Sequence, residues 1–358
     1  MSFLRSFLLA LFIGSIFVIS VNTAVDPLRF FSDQSIAEYE KQTRYRFPGL
    51  IRNKSFDTVF VGTSMAQNFI KEDIDQLFDV NSLLLAIAGG SLREQSLMVE
   101  LALATKKPKR IIWEVYEGAL INGVNEVRKG AGFPFYMYDD DRFNDIFYLF
   151  NFSNTVKSVE AIGDYLIGNT IDENYWKTMD FHSGKFPHGC PELMQSQLRD
   201  GGLLSETKDM HIPPADIVSN IDRNLLDIIR DNPEIEFVLF APPVSYAFQA
   251  MLKNTQPDKF AAITLAKTYL YPKLMELPNV KMQEYFSEQT MVKNLENYRD
   301  LMHFSAGLSH ELLVSIHNEE RKMSVDWHKQ LLKHNEELSR YPFEQVLDNC
   351  LSNRQVGD

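Results

Sequence analysis

The sequence predicts a doubly wound α/β fold around a parallel sheet, on three observations. Short aliphatic or β-branched runs at Asp57–Val61, Val80–Ala88 and Arg110–Tyr116 alternate with stretches of helical spacing. Strand, helix and strand follow one another at the interval of right-handed crossover units, which build parallel sheets. The 358 residues are 45% hydrophobic and 12% aromatic, enough core for one large α/β domain or two small ones.

Taken in order, the first residues set the compartment. Arg5 precedes an apolar run from Phe7 to Val21, broken only by Gly14, Ser15 and Ser20. Signal-peptide cores span roughly 7–15 residues and membrane-spanning helices roughly 17–25, so the run sits at the border. Ala24 suits a cleavage site and Asn22, two residues before it, does not. Residues 1–24 are therefore read as an uncleaved anchor in preference to a cleaved signal. Either way Arg5 stays on the cytoplasmic side and the rest of the chain is exported, periplasmic or extracellular. Residues 25–54, with Pro27 and Pro48, read as a stalk and lead-in.

The first strand, Asp57–Val61, runs into Gly62-Thr63-Ser64, and helical spacing follows over Phe69–Phe78. Val80–Ala88 ends at Gly89-Gly90-Ser91, and Leu92–Ala104 is helical, with Ser91 as N-cap and Glu94 as its capping-box partner. After the third strand, order gives way to Gly, Asn, Asp and aromatics between Glu117 and Pro214. That long insertion is expected over the carboxyl edge of the sheet, where ligand sites form, as a lid or substrate wall. A helix over Ala215–Arg230, a strand over Ile235–Phe240, a helix over Asp258–Leu277, a fifth strand over Val280–Tyr285 and a helix over Ser305–His317 complete the domain, residues 55–320. The tail, residues 321–358, is amphipathic from Met323 to Leu351 and is expected to be helical and to pack on the domain.

Composition narrows the function. A net charge of -12 argues against a nucleic-acid partner, which needs clustered Lys and Arg. The basic cluster Lys106-Lys107-Pro108-Lys109-Arg110 reads as a solvated loop. Cys190 and Cys350 form neither a disulfide framework nor a zinc ribbon and are read as unpaired. His182, His188 and Cys190 are too loosely spaced for zinc, Asp139-Asp140-Asp141 lacks an EF-hand pattern, and Gly130 and Gly132 lack the strand and helix of a phosphate loop. No cofactor or metal is expected. Glu114 and Glu117 could mimic glycosidase carboxylates but read as surface acids.

One constellation carries chemistry. A serine hydroxyl becomes a nucleophile when a base takes its proton, and a histidine base needs an acceptor on its far nitrogen to fix the tautomer. Ser64, His303 and Asp300 supply these types, with Asp300 three residues before His303. Singly, Ser64 reads as a helix N-cap, His303 as an ordinary histidine and Asp300 as a solvated acid. Together, in a βαβ chain with Ser64 at a strand end, they read as a triad for acyl transfer, with the Ser64 amide as an oxyanion donor.

Gly62-Thr63-Ser64, Gly89-Gly90 and Asp300-x-x-His303 resemble the first, second and last blocks of the SGNH (GDSL-like) hydrolases. The likeness is to the membrane-anchored bacterial branch similar to alginate O-acetylation and teichoic acid D-alanyl transfer proteins. It covers about Asp57–Ser309, in blocks. It implies a three-layer α/β/α flavodoxin-like sheet, Ser64 as nucleophile, His303 as base, Asp300 as its orienting acid, and a backbone donor from Gly89 or Gly90. Thr63 stands where the family has Asp. The third block's Gly-x-Asn has only Asn122 as a weak substitute, well past the strand end. The resemblance implies an esterase or O-acyltransferase acting on a cell-surface or extracellular polysaccharide, its partners an acylated polymer or acyl donor and a membrane acyltransferase. The alternative is a catalytically inactive relative that binds polymer or scaffolds a membrane synthesis complex.

Overall fold

A computed structural model describes residues 2–128, 132–173, 187–190, 192–193 and 211–352. Two compact units divide the chain: Met1–Phe56 with Leu97–Lys107 and Lys129–Thr178, and Asp57–Ser96 with Pro108–Arg128 and Met179–Asp358.

In chain order the elements are α1 (Ser2–Val25), α2 (Thr43–Asn53), β1 (Thr58–Gly62), α3 (Lys71–Phe78), β2 (Ser82–Ala86), α4 (Leu92–Thr105), β3 (Arg110–Glu114), α5 (Glu117–Leu120), α6 (Ile146–Leu149) and α7 (Phe152–Leu166). Next comes α8, which runs Pro214–Ile221 and on through a π turn at Asp222–Leu226 to Asp227–Asp231. Then follow β4 (Glu236–Ala241), α9 (Tyr246–Thr255), α10 (Pro257–Met275), β5 (Val280–Glu284), α11 (Ala306–His317), α12 (Trp327–Ser339) and α13 (Phe343–Ser352).

The second unit holds five parallel strands in the order β2-β1-β3-β4-β5. This is the flavodoxin-type doubly wound order. The chain steps one way from β1 to β2, then back across to β3, β4 and β5. With crossovers of constant hand, that reversal puts connecting helices on both faces. One helix group is α3 with α11; the other joins α5, α8, α9, α10, α12 and α13. Strands covered on both faces carry continuous apolar runs, and β1 and β2 are buried at every residue. The capping box forms reciprocally: the Ser91 amide donates to Glu94 Oε2 at 3.0 Å and the Glu94 amide to Ser91 Oγ at 3.1 Å.

Three expectations need correction. Residues 25–54 are not an open stalk, because Phe30, Phe47, Leu50 and Ile51 are buried within the first unit. The insertion is not one body. Its start to Arg128 belongs with the sheet, residues 132–173 cluster with the N-terminal ones, and much of 174–210 lies outside the described residues. Cys190 and Cys350 are joined in a disulfide, 160 positions apart, which ties the end of the insertion to α13. The tail packs on the domain as expected, with Leu331, His334 and Leu338 of α12 buried.

Among the described residues α1 is the one helix long and apolar enough to cross a membrane, a candidate anchor or signal sequence.

Candidate active site

The strand order reverses between β1 and β3, and ligands in such sheets bind beyond the carboxyl ends of the strands at that point. Ser64 lies two residues past the end of β1, at the start of a 3-10 turn, Met65–Asn68. Its side chain makes no capping hydrogen bond. Ser64 Oγ instead lies 2.7 Å from His303 Nε2.

The loop carrying His303 is closed and stapled. Tyr298 and Phe304 bridge across its base, the Tyr298 hydroxyl donates to Pro243 O at 2.8 Å, and Ser245 Oγ donates to Leu301 O at 2.6 Å. Within the loop Asp300 Oδ1 accepts the amides of Met302 and His303, both at 2.8 Å. This local Asx-type bonding leaves Oδ2 for His303 Nδ1, at 2.7 Å. The imidazole therefore donates from Nδ1 and presents a bare Nε2 to the serine hydroxyl, the tautomer a general base requires.

The two halves of the site are clipped together. Asn68, at the end of the serine turn, donates through Nδ2 to Phe304 O at 2.5 Å. Phe69 packs edge-on against Phe304 and also against Phe60 of β1 and Phe240 of β4. An aromatic floor thus sets the height of both loops over the sheet. Burial alone would raise the Asp300 carboxyl. The His303 hydrogen bond and the two amides outweigh it and hold the group below its ordinary range. His303 and Asp300 keep 22% and 23% of their side-chain surface exposed, so the site is open to a substrate.

Of the expected oxyanion donors, Ser64 and Gly89 are suited and Gly90 is not. The Ile87 amide donates to Gly62 O at 2.9 Å, which holds the end of β2 against the end of β1. A tight turn follows, closed by the Gly90 amide on Ile87 O at 2.9 Å, with Gly89 at φ +59°. A positive φ at the third position of a turn favours glycine. The Gly90 amide is spent in this turn, whereas those of Ser64 and Gly89 donate to no acceptor among the described residues. The Asn122 amide donates to Ala119 O at 3.4 Å. Among the described residues no hydrogen bond links Asn122 to the triad. Just past the end of β3 the residue that reaches the His303 loop is Tyr116, whose hydroxyl lies 3.5 Å from Met302 Sδ. Burial, and then the acids Glu117, Glu114 and Asp300, raise its pKa and keep it a neutral donor.

Glu114 and Glu117 are buried, against expectation. Glu117 pairs with Lys267 at 2.5 Å. Glu114, 1% exposed, accepts the Thr63 hydroxyl at 2.7 Å, and its Oε2 has no partner. Burial pushes its pKa up to about 7, against the downward pull of the Thr63 hydrogen bonds and His303. The carboxyl needs space: a Cβ on Gly62 would meet Glu114 Oε2 at 2.8 Å. Thr63 thus makes its side-chain bond to an acid from the neighbouring strand. An acid at a strand end gives no signal of this in the sequence; the pairing of β3 beside β1 is what brings Glu114 to Thr63.

His188 bonds Glu296 O through Nδ1, Cys190 is in the disulfide, and His182 lies outside the described residues. Among the described residues no group of His, Cys, Asp or Glu could hold a metal. No protein-family model matches the chain, and neither does any curated protein or solved structure.

Proposed function

We propose that the chain is an exported serine-dependent esterase or O-acyltransferase of the SGNH type, acting on an acylated cell-surface or extracellular polysaccharide. The observation that carries this reading is the relay itself, Ser64 Oγ to His303 Nε2 and His303 Nδ1 to Asp300 Oδ2, each 2.7 Å. Such distances are within proton-transfer reach.

In the proposed course Ser64 Oγ attacks the acyl carbonyl while His303 Nε2 takes its proton. The amides of Ser64 and Gly89 receive the developing oxyanion. Collapse expels the alcohol, which regains the proton from His303, and leaves the acyl group on Ser64. Water then yields an acid and free Ser64; a sugar hydroxyl yields a new ester. A membrane acyltransferase is the proposed source of the acyl group for the transfer branch.

Residue packing supports a retained anchor. Asn22 is fully buried, donating to Leu149 O at 2.8 Å and Thr155 Oγ1 at 3.0 Å, and accepting from Ser158 Oγ at 2.9 Å. Cleavage after Ala24 would strip these partners. The disulfide fits an oxidising compartment.

The test is acyl release. Purified full-length protein is incubated with O-acetylated polysaccharide, and free acetate and acetyl transferred to an unacetylated acceptor are quantified by NMR. Wild type is expected to give one or both, and Ser64→Ala neither. Binding of the polymer with no release from wild type would favour the scaffold reading.

A further inference from the structure

The first unit contains a helix whose polarity is inverted for a protein surrounded by water. On α7 the residues turned inward are Asn154, Ser158 and Ala161. The residues turned outward at helical spacing are Phe152, Val156, Val159 and Leu166, with Phe152 85% and Val159 60% exposed. A surface helix in water shows the opposite arrangement. The preceding segment also turns apolar side chains to the outside: Phe143 is 92% exposed, and Ile146, Phe147 and Phe150 are exposed as well. Large apolar side chains exposed in such number between Phe143 and Leu166 mark an interaction surface.

Its place on the chain identifies the occupant. The inward face of α7 and the end of α6 grip α1 at Asn22, through Leu149 O, Thr155 Oγ1 and Ser158 Oγ. Val25 and Ala161 share a small core with Val21 and Ile162 at their edge. At 1.5 Å per residue, the 20 residues from Phe3 to Asn22 cover about 30 Å, the thickness of a bilayer's hydrocarbon core. Asn22 therefore falls where hydrocarbon gives way to headgroups, and the α6–α7 face begins at that depth.

We infer that the exposed face built from Phe143, Phe147, Phe150, Phe152, Val156 and Val159 lies in the headgroup–acyl boundary of the bilayer that α1 crosses. The polarity of α7 follows: its apolar stripe meets lipid while its polar stripe satisfies Asn22. Interfacial helices bind by burying such a face a few ångströms into the membrane. Between positions 139 and 167 there are six acids (Asp139, Asp140, Asp141, Asp145, Glu160, Asp164) and two bases (Arg142, Lys157). Attraction to anionic lipid is therefore not what holds this face down. The contact is apolar and is expected in zwitterionic bilayers without anionic lipid. Such a second contact would fix the posture of the first unit on the membrane.

This rests on reading α1 as a retained span, and the test separates the two. Nitroxide labels are placed one at a time in the full chain in phosphatidylcholine nanodiscs, at Phe12→Cys, Phe152→Cys, Val159→Cys and Glu160→Cys. Both native cysteines are in the disulfide, and all four positions are exposed, so labelling is specific and leaves the core intact. Collisional relaxation by oxygen, which concentrates in lipid, is compared with that by a water-soluble nickel chelate. The expected result is oxygen dominance at 12, 152 and 159 and nickel dominance at 160, unchanged by high salt or added phosphatidylglycerol. Oxygen dominance at 12 with nickel dominance at 152 and 159 would overturn the inference and leave the anchor standing. Protection of 152 and 159 from both reagents would also overturn it, because protein then covers the face. Nickel dominance at 12 would remove the anchor and this inference together.

Discussion

Helices α11 and α7 have similar lengths and the same 3.6-residue periodicity, yet they are built inside out relative to each other. In the sheet unit, α11 buries Leu308, Leu312, Leu313 and Ile316 and turns His310, Glu311 and His317 outward. In the N-terminal unit, α7 buries Asn154 and Ser158 and turns Phe152, Val156 and Val159 outward. Periodicity says that a helix has two faces; which face is covered depends on what surrounds it. The sheet unit follows the rules of a protein in water: most of the large apolar side chains of its helices are covered, and the polar groups it buries, such as Asn220, Asn224 and Gln283, are hydrogen-bonded. The first unit keeps polar groups inside to hold a helix that is itself apolar.

The largest effect that would sharpen this contrast lies in the triad. Asp300→Asn keeps an acceptor for the two backbone amides but no longer fixes the His303 tautomer. Turnover of an activated ester is expected to fall about 10⁴-fold with the circular dichroism spectrum unchanged. A loss below tenfold would mean that the His303–Asp300 contact is structural only.

Next comes Glu114. Below about pH 4.5 its carboxyl is neutral in both folded and unfolded chains. As pH rises toward 7 the unfolded chain ionises it while the fold keeps it protonated, so stability falls across that window and levels off above about 7. The group accounts for roughly 3 kcal/mol of that decline. Urea unfolding between pH 4.5 and 8 should show the decline in wild type and a flatter profile in Glu114→Gln. Equal slopes in the two proteins would contradict the burial argument.

Two smaller changes compare the units directly. Asn22→Ala leaves Leu149 O and Ser158 Oγ buried without their partner, at a cost of about 1–3 kcal/mol. It should lower the unfolding temperature of the full chain in detergent and leave the kcat of the triad untouched. Ser305→Ala removes the cap that Ser305 Oγ gives the Leu308 amide at 3.2 Å, at about 1 kcal/mol. If the cap change proved the more costly, the polar interior of the first unit would not be what holds α1.

Much of the sheet unit was legible in the sequence. Five strands were readable because parallel strands covered on both faces carry apolar runs. The runs are cleanest in β1 and β2 and weakest in the edge strand β5, where Lys281, Gln283 and Glu284 interrupt the pattern. Ser91 and Glu94 announced their capping box. Ser64, Asp300 and His303 could be picked out because a strand end and a short acid–histidine turn each restrict which residues can stand there. The burial of Glu114 was not legible: one acid at a strand end is a surface feature until the sheet order puts β3 in the centre. Nor was the Cys190–Cys350 bond, because 160 positions of separation carry no distance information. Residues 25–54 read as a stalk because turns and aromatics there have no period. Their order comes from a local turn, in which Asp26 accepts the amides of Phe30, Phe31 and Ser32, fastened by long-range bonds: the Tyr148 hydroxyl donates to Asp26 and accepts the Leu28 amide. Helix α7 was not read from the sequence, because it lies in the stretch from Glu117 to Pro214 that reads as irregular, and the direction of its outward face is a tertiary fact.

The most direct measurement is the intact mass of the purified chain after exposure to a fluorophosphonate. Wild type should gain the mass of one phosphonyl group, mapped to the peptide containing Ser64, and Ser64→Ala should gain none. An unmodified wild-type protein, or equal labelling of both proteins, would mean that the 2.7 Å contact between Ser64 and His303 does not activate the serine.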